Sequence, residues 1–114
     1  MRSIYKFIKD IENRPALYFG DDAHTATTLK ILKAYLSGYY MREGEIYGLP
    51  SESWDFMLGF QDYVAEYYSD LRSYGWDMII SENCLPANNP LLVFFSLIDH
   101  YVTENPDMAL AQPK

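Results

Sequence analysis

The sequence holds a single cysteine, Cys84, so no disulfide can form within the chain. It contains no apolar run of the ~18 residues that a membrane-spanning helix needs, and no leader of charged, apolar and small residues opens it. We therefore expect a protein of the reducing cytoplasm that is not inserted into a membrane.

Basic residues are scarce in the second part of the chain. Residues 1–42 hold seven basic and four acidic residues, a net charge of +3, whereas residues 43–114 hold twelve acidic and two basic residues, a net charge of −10. A segment this acidic repels nucleic acid and attracts basic partners. The alternative explanation is an acidic surface that serves only to keep the protein soluble.

The hydrophobic and aromatic content of the sequence predicts a folded core. Of the 114 residues 49% are hydrophobic and 17% are aromatic, and 11 are tyrosines. A chain of this length buries about two thirds of its unfolded surface and needs no disulfide or metal to stabilise it. We expect one domain over residues 1–114, in which residues 106–114 form a loose tail.

Hydrophobic periodicity predicts an all-α fold. Apolar residues recur three and four positions apart in each long segment, which is typical of amphipathic helices. The segment Trp76–Ser81 fits either a helix or one strand, and a lone strand would have no partner, so we favour a short helix. The four main helices are predicted over about Ile4–Ile11, Ala23–Arg42, residues 51–71 and Leu91–Glu104.

Capping residues mark the ends of these helices. Side chains that accept hydrogen bonds from free N–H groups precede each predicted start, and proline occupies the first position of the last helix. Glycines at positions 44 and 48 are expected to end the second helix. The predicted N-caps are Ser3, Asp21 or Asp22, Ser51 or Ser53, and Asn89.

Three large apolar residues fall in the connection between the first two helices. Pro15 ends the first helix, because a proline disfavours the helical conformation of the residue before it. Leu17, Tyr18 and Phe19 are therefore predicted to be extended and closed by a turn at Gly20. We expect them to tuck under the bundle, where burial of each stabilises the fold by about 1.5–3 kcal/mol. The alternative is a binding site.

No arrangement of residues typical of catalysis is evident. The only histidines, His24 and His100, show no recognised pairing with Cys84, and no Gly-rich phosphate loop occurs. Helix capping explains Asp21 and Asp22 better than a metal site with His24 does, because ligands so close in sequence seldom point at one centre. We predict no enzymatic activity, no cofactor and no metal. Nor do we expect nucleic-acid binding, since the tyrosine-rich part of the chain is acidic.

An acidic stripe lies along the predicted third helix. At about 100° per residue, five acids fall within about 80° of one another, opposite the apolar face, and two tyrosines flank them. Like charges four residues apart each cost a few tenths of a kcal/mol, and no Lys or Arg interrupts the stripe. We predict a docking face for a cationic protein surface, with a merely solvated face as the alternative. Its residues are Glu52, Asp55, Asp62, Tyr63, Glu66, Tyr67 and Asp70.

Five largely apolar segments follow one another along the chain: ENRPALYFG, LKAYLSGYY, FMLGFQDYVAEYY, YGWDMII and PLLVFFSLIDHY. The most distinctive piece is the turn formed by Arg14, Pro15, Tyr18 and Gly20. In this order, from about Ile4 to Tyr101, the segments resemble those of small all-helical immunity proteins of bacterial polymorphic-toxin and contact-dependent growth-inhibition systems.

The resemblance implies a cytosolic protein that binds one toxin domain and blocks it, without catalytic residues of its own. Such toxins are often nucleases with basic, phosphate-binding clefts, which an acidic helix would fill as a phosphate mimic. We therefore expect a basic toxin domain as the partner. The alternative is an interaction module or regulatory adaptor unrelated to toxins. The sequence does not indicate an oligomeric state.

Overall fold

The structure is a computed structural model that describes residues 3–20, 26–48, 51–85 and 88–106. These residues form six helices: α1 (Ile4–Asn13), α2 (Pro15–Phe19), α3 (Ala26–Tyr47), α4 (Glu52–Tyr67), α5 (Trp76–Asn83) and α6 (Pro90–Glu104). The described residues contain no strand, so the all-α prediction is confirmed, including the helix at Trp76. The predicted caps Asp21 and Asp22 and the tail beyond Pro106 lie outside the described residues.

Three of the predicted caps are present. The Oγ atom of Ser3 accepts a hydrogen bond from the backbone N–H of Lys6 at 3.1 Å, and that of Ser51 accepts one from Trp54 at 3.1 Å. The Asn89 side chain accepts from the N–H of Leu91 at 3.0 Å. Each cap satisfies one of the N–H groups that the first turn leaves without a partner.

α3 runs five residues beyond the predicted end at Arg42, so the prediction that Gly44 breaks it was wrong. The side chain of Glu43 is nearly buried and accepts hydrogen bonds from Ser53 N at 3.0 Å and Ser53 Oγ at 2.6 Å. This contact holds the last turns of α3 against the start of α4. The helix ends before Gly48, whose φ of 87° is left-handed and favours glycine.

α4 ends at Tyr67, four residues before the predicted end at Leu71. Ser69 takes a left-handed φ of 51°, and the N–H of Asp70 donates to the Ala65 carbonyl at 2.9 Å. Together with the bond from the Ser69 N–H to the Glu66 carbonyl, this forms a Schellman C-cap. Leu71, the predicted last residue of the helix, therefore lies beyond the cap and is fully exposed.

Aromatic rings packed edge to face form the centre of the core. The Phe60 ring lies 5.4 Å from Phe94, 5.7 Å from Trp76 and 5.8 Å from Tyr101, each in an edge-to-face arrangement. α6 contributes seven buried residues, more than any other helix within the described ranges. Around this centre pack the aliphatic faces of α1 (Ile4, Ile8, Ile11) and α3 (Leu29, Leu32, Leu36).

The connection after Pro15 is helical rather than extended. Arg14 leaves the α region, as the proline requires, but Pro15 is at the first position of α2, where its missing N–H costs nothing. Leu17 is 70% exposed, whereas Tyr18 and Phe19 are half-buried against the core. Two of the three predicted side chains therefore fasten the bundle, and the third faces solvent.

Candidate protein-interaction surface

Four of the five predicted acids lie together on α4. The side chains of Glu52, Asp55, Asp62 and Glu66 are all exposed. Among the described residues, no ion pair involves any of these four carboxylates. We define them as the acidic face. It projects negative charge into solvent from a rigid helix, without internal neutralisation by the described cations.

Asp70 does not belong to the acidic face. It lies after α4, where its side chain is only 6% exposed and accepts from the Arg72 guanidinium at 2.7 and 3.0 Å. These hydrogen bonds hold the pKa of Asp70 below its ordinary value. Arg72 also pairs with Glu82 and lies 4.3 Å above the Tyr74 ring. Asp70 therefore lies outside the helical stripe in which the sequence placed it, because the Schellman cap turns the chain before it.

The two tyrosines beside the acidic face differ in their surroundings. Tyr63 is half-buried with its ring 5.4 Å from Tyr101, and burial together with the negative charge of Glu104 raises the pKa of its hydroxyl. Tyr67 is 56% exposed and stands edge-on against Tyr68 at 4.9 Å. Tyr67 is therefore available to a partner, and its ring centroid lies 6.3 Å from that of the half-buried Tyr63.

An apolar groove borders the other side of the acidic face. It has a volume of about 140 Å³ and lies where α3, α4 and α5 meet. Trp54 stands edge-to-face against Tyr40 at 5.1 Å, and Leu58, 50% exposed, forms the rim nearest the acids. The groove is lined by Lys33, Leu36, Ser37, Tyr40, Trp54, Met57, Leu58, Gln61 and Trp76.

Polar contacts fix the walls of this groove. The Gln61 side chain accepts from the N–H of Trp76 at 2.7 Å and donates to the carbonyl of Tyr74 at 2.9 Å, so it caps the start of α5. Lys33 on α3 pairs with Asp77 on α5 at 3.1 Å. Because these contacts join all three helices, the groove is preformed and needs no rearrangement before a side chain enters it.

Sequence reasoning missed the groove. On a helical wheel Trp54 and Leu58 lie at the margin of the core-facing side of α4, and packing against α3 and α5 leaves Leu58 half in solvent. A signal was available, because Leu58 lies only about 60° from Asp55 on the wheel, closer to the acids than to the centre of the apolar face. Sequence reasoning also did not identify Phe56 as a core residue, although its side chain is only 1% exposed.

The residues considered for catalysis do not come together in the described structure. Cys84 is half-buried, with its thiol 3.5 Å from the carbonyl of Asn88, and His100 is exposed on α6. His24 lies outside the described residues. Within the ranges that are described, no three side chains of His, Cys, Asp and Glu form a cluster that would hold a metal ion.

None of the described helices combines the length and the apolarity needed to cross a membrane. In comparisons with known proteins, no family model, curated protein or solved structure matches the chain.

Proposed function

We propose that this protein is an immunity protein, which binds a basic toxin domain in the cytoplasm through the acidic face and thereby blocks it. The observation that carries the proposal is the set of four exposed carboxylates on one helix with no cationic partner among the described residues. The order of apolar segments that resembles immunity proteins supports it. The protein would act by stoichiometric binding, without a cofactor or metal.

The concentration of like charges on the acidic face favours binding of a cationic partner, whereas solubility alone does not require such a concentration. Like charges at Asp62 and Glu66, four residues apart, repel one another along the helix at a cost of a few tenths of a kcal/mol. A cationic cleft relieves this repulsion and is steered toward the acids over roughly one Debye length, about 8 Å at physiological salt. We therefore expect fast, salt-dependent association.

The flanks of the acidic face supply the contacts that hold a complex together once it has formed. Exposed Tyr67 offers a flat ring with little conformational entropy to lose, and Leu58 and Trp54 offer apolar area on the opposite side. Aromatic side chains that become buried in an interface often contribute much of its binding energy, while charges that stay exposed mainly set the association rate. This division predicts different kinetic effects for the two kinds of residue.

The test is co-expression with the toxin domain encoded beside the gene, followed by purification and kinetic measurement of the complex. We expect the wild-type protein to restore growth and to co-purify with the toxin domain. Asp62→Lys and Glu66→Lys should each slow association and flatten its dependence on salt, and the double variant should lose most of the protection.

Glu45→Lys is the matched control, because it reverses one exposed carboxylate on α3 and leaves α4 unchanged. A double Asp62→Lys, Glu66→Lys variant that protects cells and binds with unchanged kinetics would exclude the acidic face as the interface. If the wild-type protein forms no complex with the neighbouring gene product, the immunity function itself is wrong.

A further inference from the structure

Three buried side chains form the floor of the groove where α3, α4 and α5 meet. Leu36, Met57 and Trp76 are 1%, 7% and 3% exposed, so the floor of the groove is part of the core. Tyr40 and Trp54 stand half-buried as its walls. Contact between apolar surface and water is unfavourable, and an apolar group that enters the groove removes it.

The charged side chain and the amide that line the groove both have partners. The Lys33 ammonium pairs with Asp77, and it fills the space that a Cβ atom on Gly75 would need. The Gln61 amide is occupied at both ends by backbone groups at and before the start of α5. A charged occupant would have to break the Lys33–Asp77 pair to gain a partner in the groove, whereas an apolar occupant displaces neither contact.

Two carboxylates of the acidic face stand beside the rim of the groove. Leu58 forms this rim, with exposed Asp55 three residues before it and exposed Asp62 four residues after it on α4. Side chains three and four positions apart are neighbours on the surface of a helix. The two carboxylates are therefore about 10.5 Å apart along the axis, at about 1.5 Å per residue, with Leu58 between them and the groove behind it.

We propose that the groove binds one large apolar side chain of the basic toxin domain, the anchor, and that basic side chains beside the anchor pair with Asp55 and Asp62. This inference rests on the proposed function and adds the chemistry that the partner must present. Charge complementarity selects the occupant. An anchor carried by a neutral segment would leave the two carboxylates unpaired, and an acidic segment would be repelled by them.

The volume of the groove sets the size of the anchor. The groove measures about 140 Å³, close to the about 150 Å³ of an engineered protein cavity that binds benzene. One leucine, methionine or phenylalanine side chain is therefore of the right size, and a smaller one would leave part of the groove in contact with water. Because the walls are already fixed, the groove loses little conformational entropy when the anchor enters.

Dissociation kinetics of the complex with the toxin domain test the proposal. Leu58→Ala removes the rim without changing any charge, so the dissociation rate should rise about tenfold while the association rate stays the same. Ile31→Ala is the matched control. Ile31 is 42% exposed, close to the 50% of Leu58, and lies about 180° from Tyr40 on the wheel of α3. This control should leave both rates unchanged.

Ser37→Phe fills the groove from α3 and should keep the anchor out. The dissociation rate should rise at least tenfold, while the free energy of unfolding of the isolated protein stays equal or increases because the new ring buries apolar area. Ala34→Phe is its control, since it adds the same ring at an exposed position of α3 that does not line the groove. Its kinetics should match those of the wild type.

Alanine replacements in the toxin domain identify the occupant. Replacement of the anchor should raise the dissociation rate about tenfold, and its combination with Ser37→Phe should add little, because the groove is then already closed to it. Replacement of a Lys or Arg beside the anchor should be non-additive with Asp55→Asn or Asp62→Asn in the same way.

Groove variants that dissociate as slowly as the wild type, while Asp62→Lys and Glu66→Lys slow association, overturn the groove proposal and leave the proposed function intact. So does an occupant that proves to be a charged or small side chain, or an anchor without a basic neighbour that couples to Asp55 or Asp62. A wild-type protein that forms no complex contradicts the proposed function, and the proposed occupant with it.

Discussion

Tyr101 of α6 packs directly on Gly59 of α4. Its hydroxyl donates to the carbonyl of Phe56 at 3.3 Å, and its side chain is 3% exposed. A methyl group on Gly59 would overlap that hydroxyl and lie 3.2 Å from the ring carbon that bears it. The glycine is therefore present because two helices approach closely there, even though glycine is a poor helix former.

Gly59→Ala should destabilise the protein by about 1–3 kcal/mol, because the buried Tyr101 ring has no room to move away. Tyr101→Phe in the same chain removes the overlapping oxygen, so the double variant should recover part of the loss. The measurement is the free energy of unfolding in urea for the two single variants and the double, as a double-mutant cycle.

The control for this experiment is Gly38→Ala, in the interior of α3 where a new methyl group meets nothing within 4 Å. It should stabilise the chain by about 0.5–1 kcal/mol, the ordinary difference between glycine and alanine in a helix. Equal effects of the two glycine replacements would show that Tyr101 does not press on α4.

The α1–α2 connection predicts a graded series. Tyr18 contacts the rings of Phe7 and Tyr35 at 5.9 and 5.7 Å, and its hydroxyl donates to Asp10 at 2.7 Å. Tyr18→Ala should lower the free energy of unfolding by about 1.5–3 kcal/mol, less than a fully buried aromatic loses. Tyr18→Phe should cost about 0.5–1.5 kcal/mol, since only the hydrogen bond is removed.

Leu17→Ala provides the comparison, because Leu17 is a neighbour in the same helix but 70% exposed. It should change stability by less than about 0.5 kcal/mol. If Tyr18→Ala is neutral for stability but abolishes binding of the toxin domain, the connection is a binding site and not a structural contact.

Asp70 predicts a pH-dependent contribution to stability. Hydrogen bonds from Arg72 lower its pKa in the folded state, so the folded protein binds the proton less readily than the unfolded chain does. The contribution is therefore complete above the ordinary pKa of an aspartate, about 4, and is lost as the pH falls through the lowered value. Asp70→Asn should be less stable than the wild type at about pH 6, and the difference should shrink toward about pH 2.

The measurement for Asp70 is urea unfolding at a series of pH values. Asp62→Asn is the control, because Asp62 is an exposed acid in the acidic face with like-charged neighbours. At about pH 6 it should be neutral or slightly stabilising, since it relieves repulsion from Glu66. A stability difference for Asp70→Asn that does not vary with pH would rule out the ion pair as its origin.

The sequence by itself determined the helices and most of their starts. Apolar spacing of three and four residues reports which side of a helix is buried, and Ser3, Ser51 and Asn89 satisfy N–H groups a few residues away. These are local interactions, so they can be inferred without the fold. The same wheel placed Glu52, Asp55, Asp62 and Glu66 on one exposed face, as the structure has them.

Only the structure decided where α3 and α4 end and which residues at the edges of a face are covered. α3 continues past Gly44 because Glu43 binds Ser53 of another helix, and α4 stops at Tyr67 because Ser69 adopts a left-handed conformation. Whether a side chain of α4 is fully buried, as Phe56 is, or half exposed, as Leu58 is, depends on how α4 packs against α3, α5 and α6. The α4 cap forms between neighbouring residues, but the other contacts join different helices, so no local pattern encodes them.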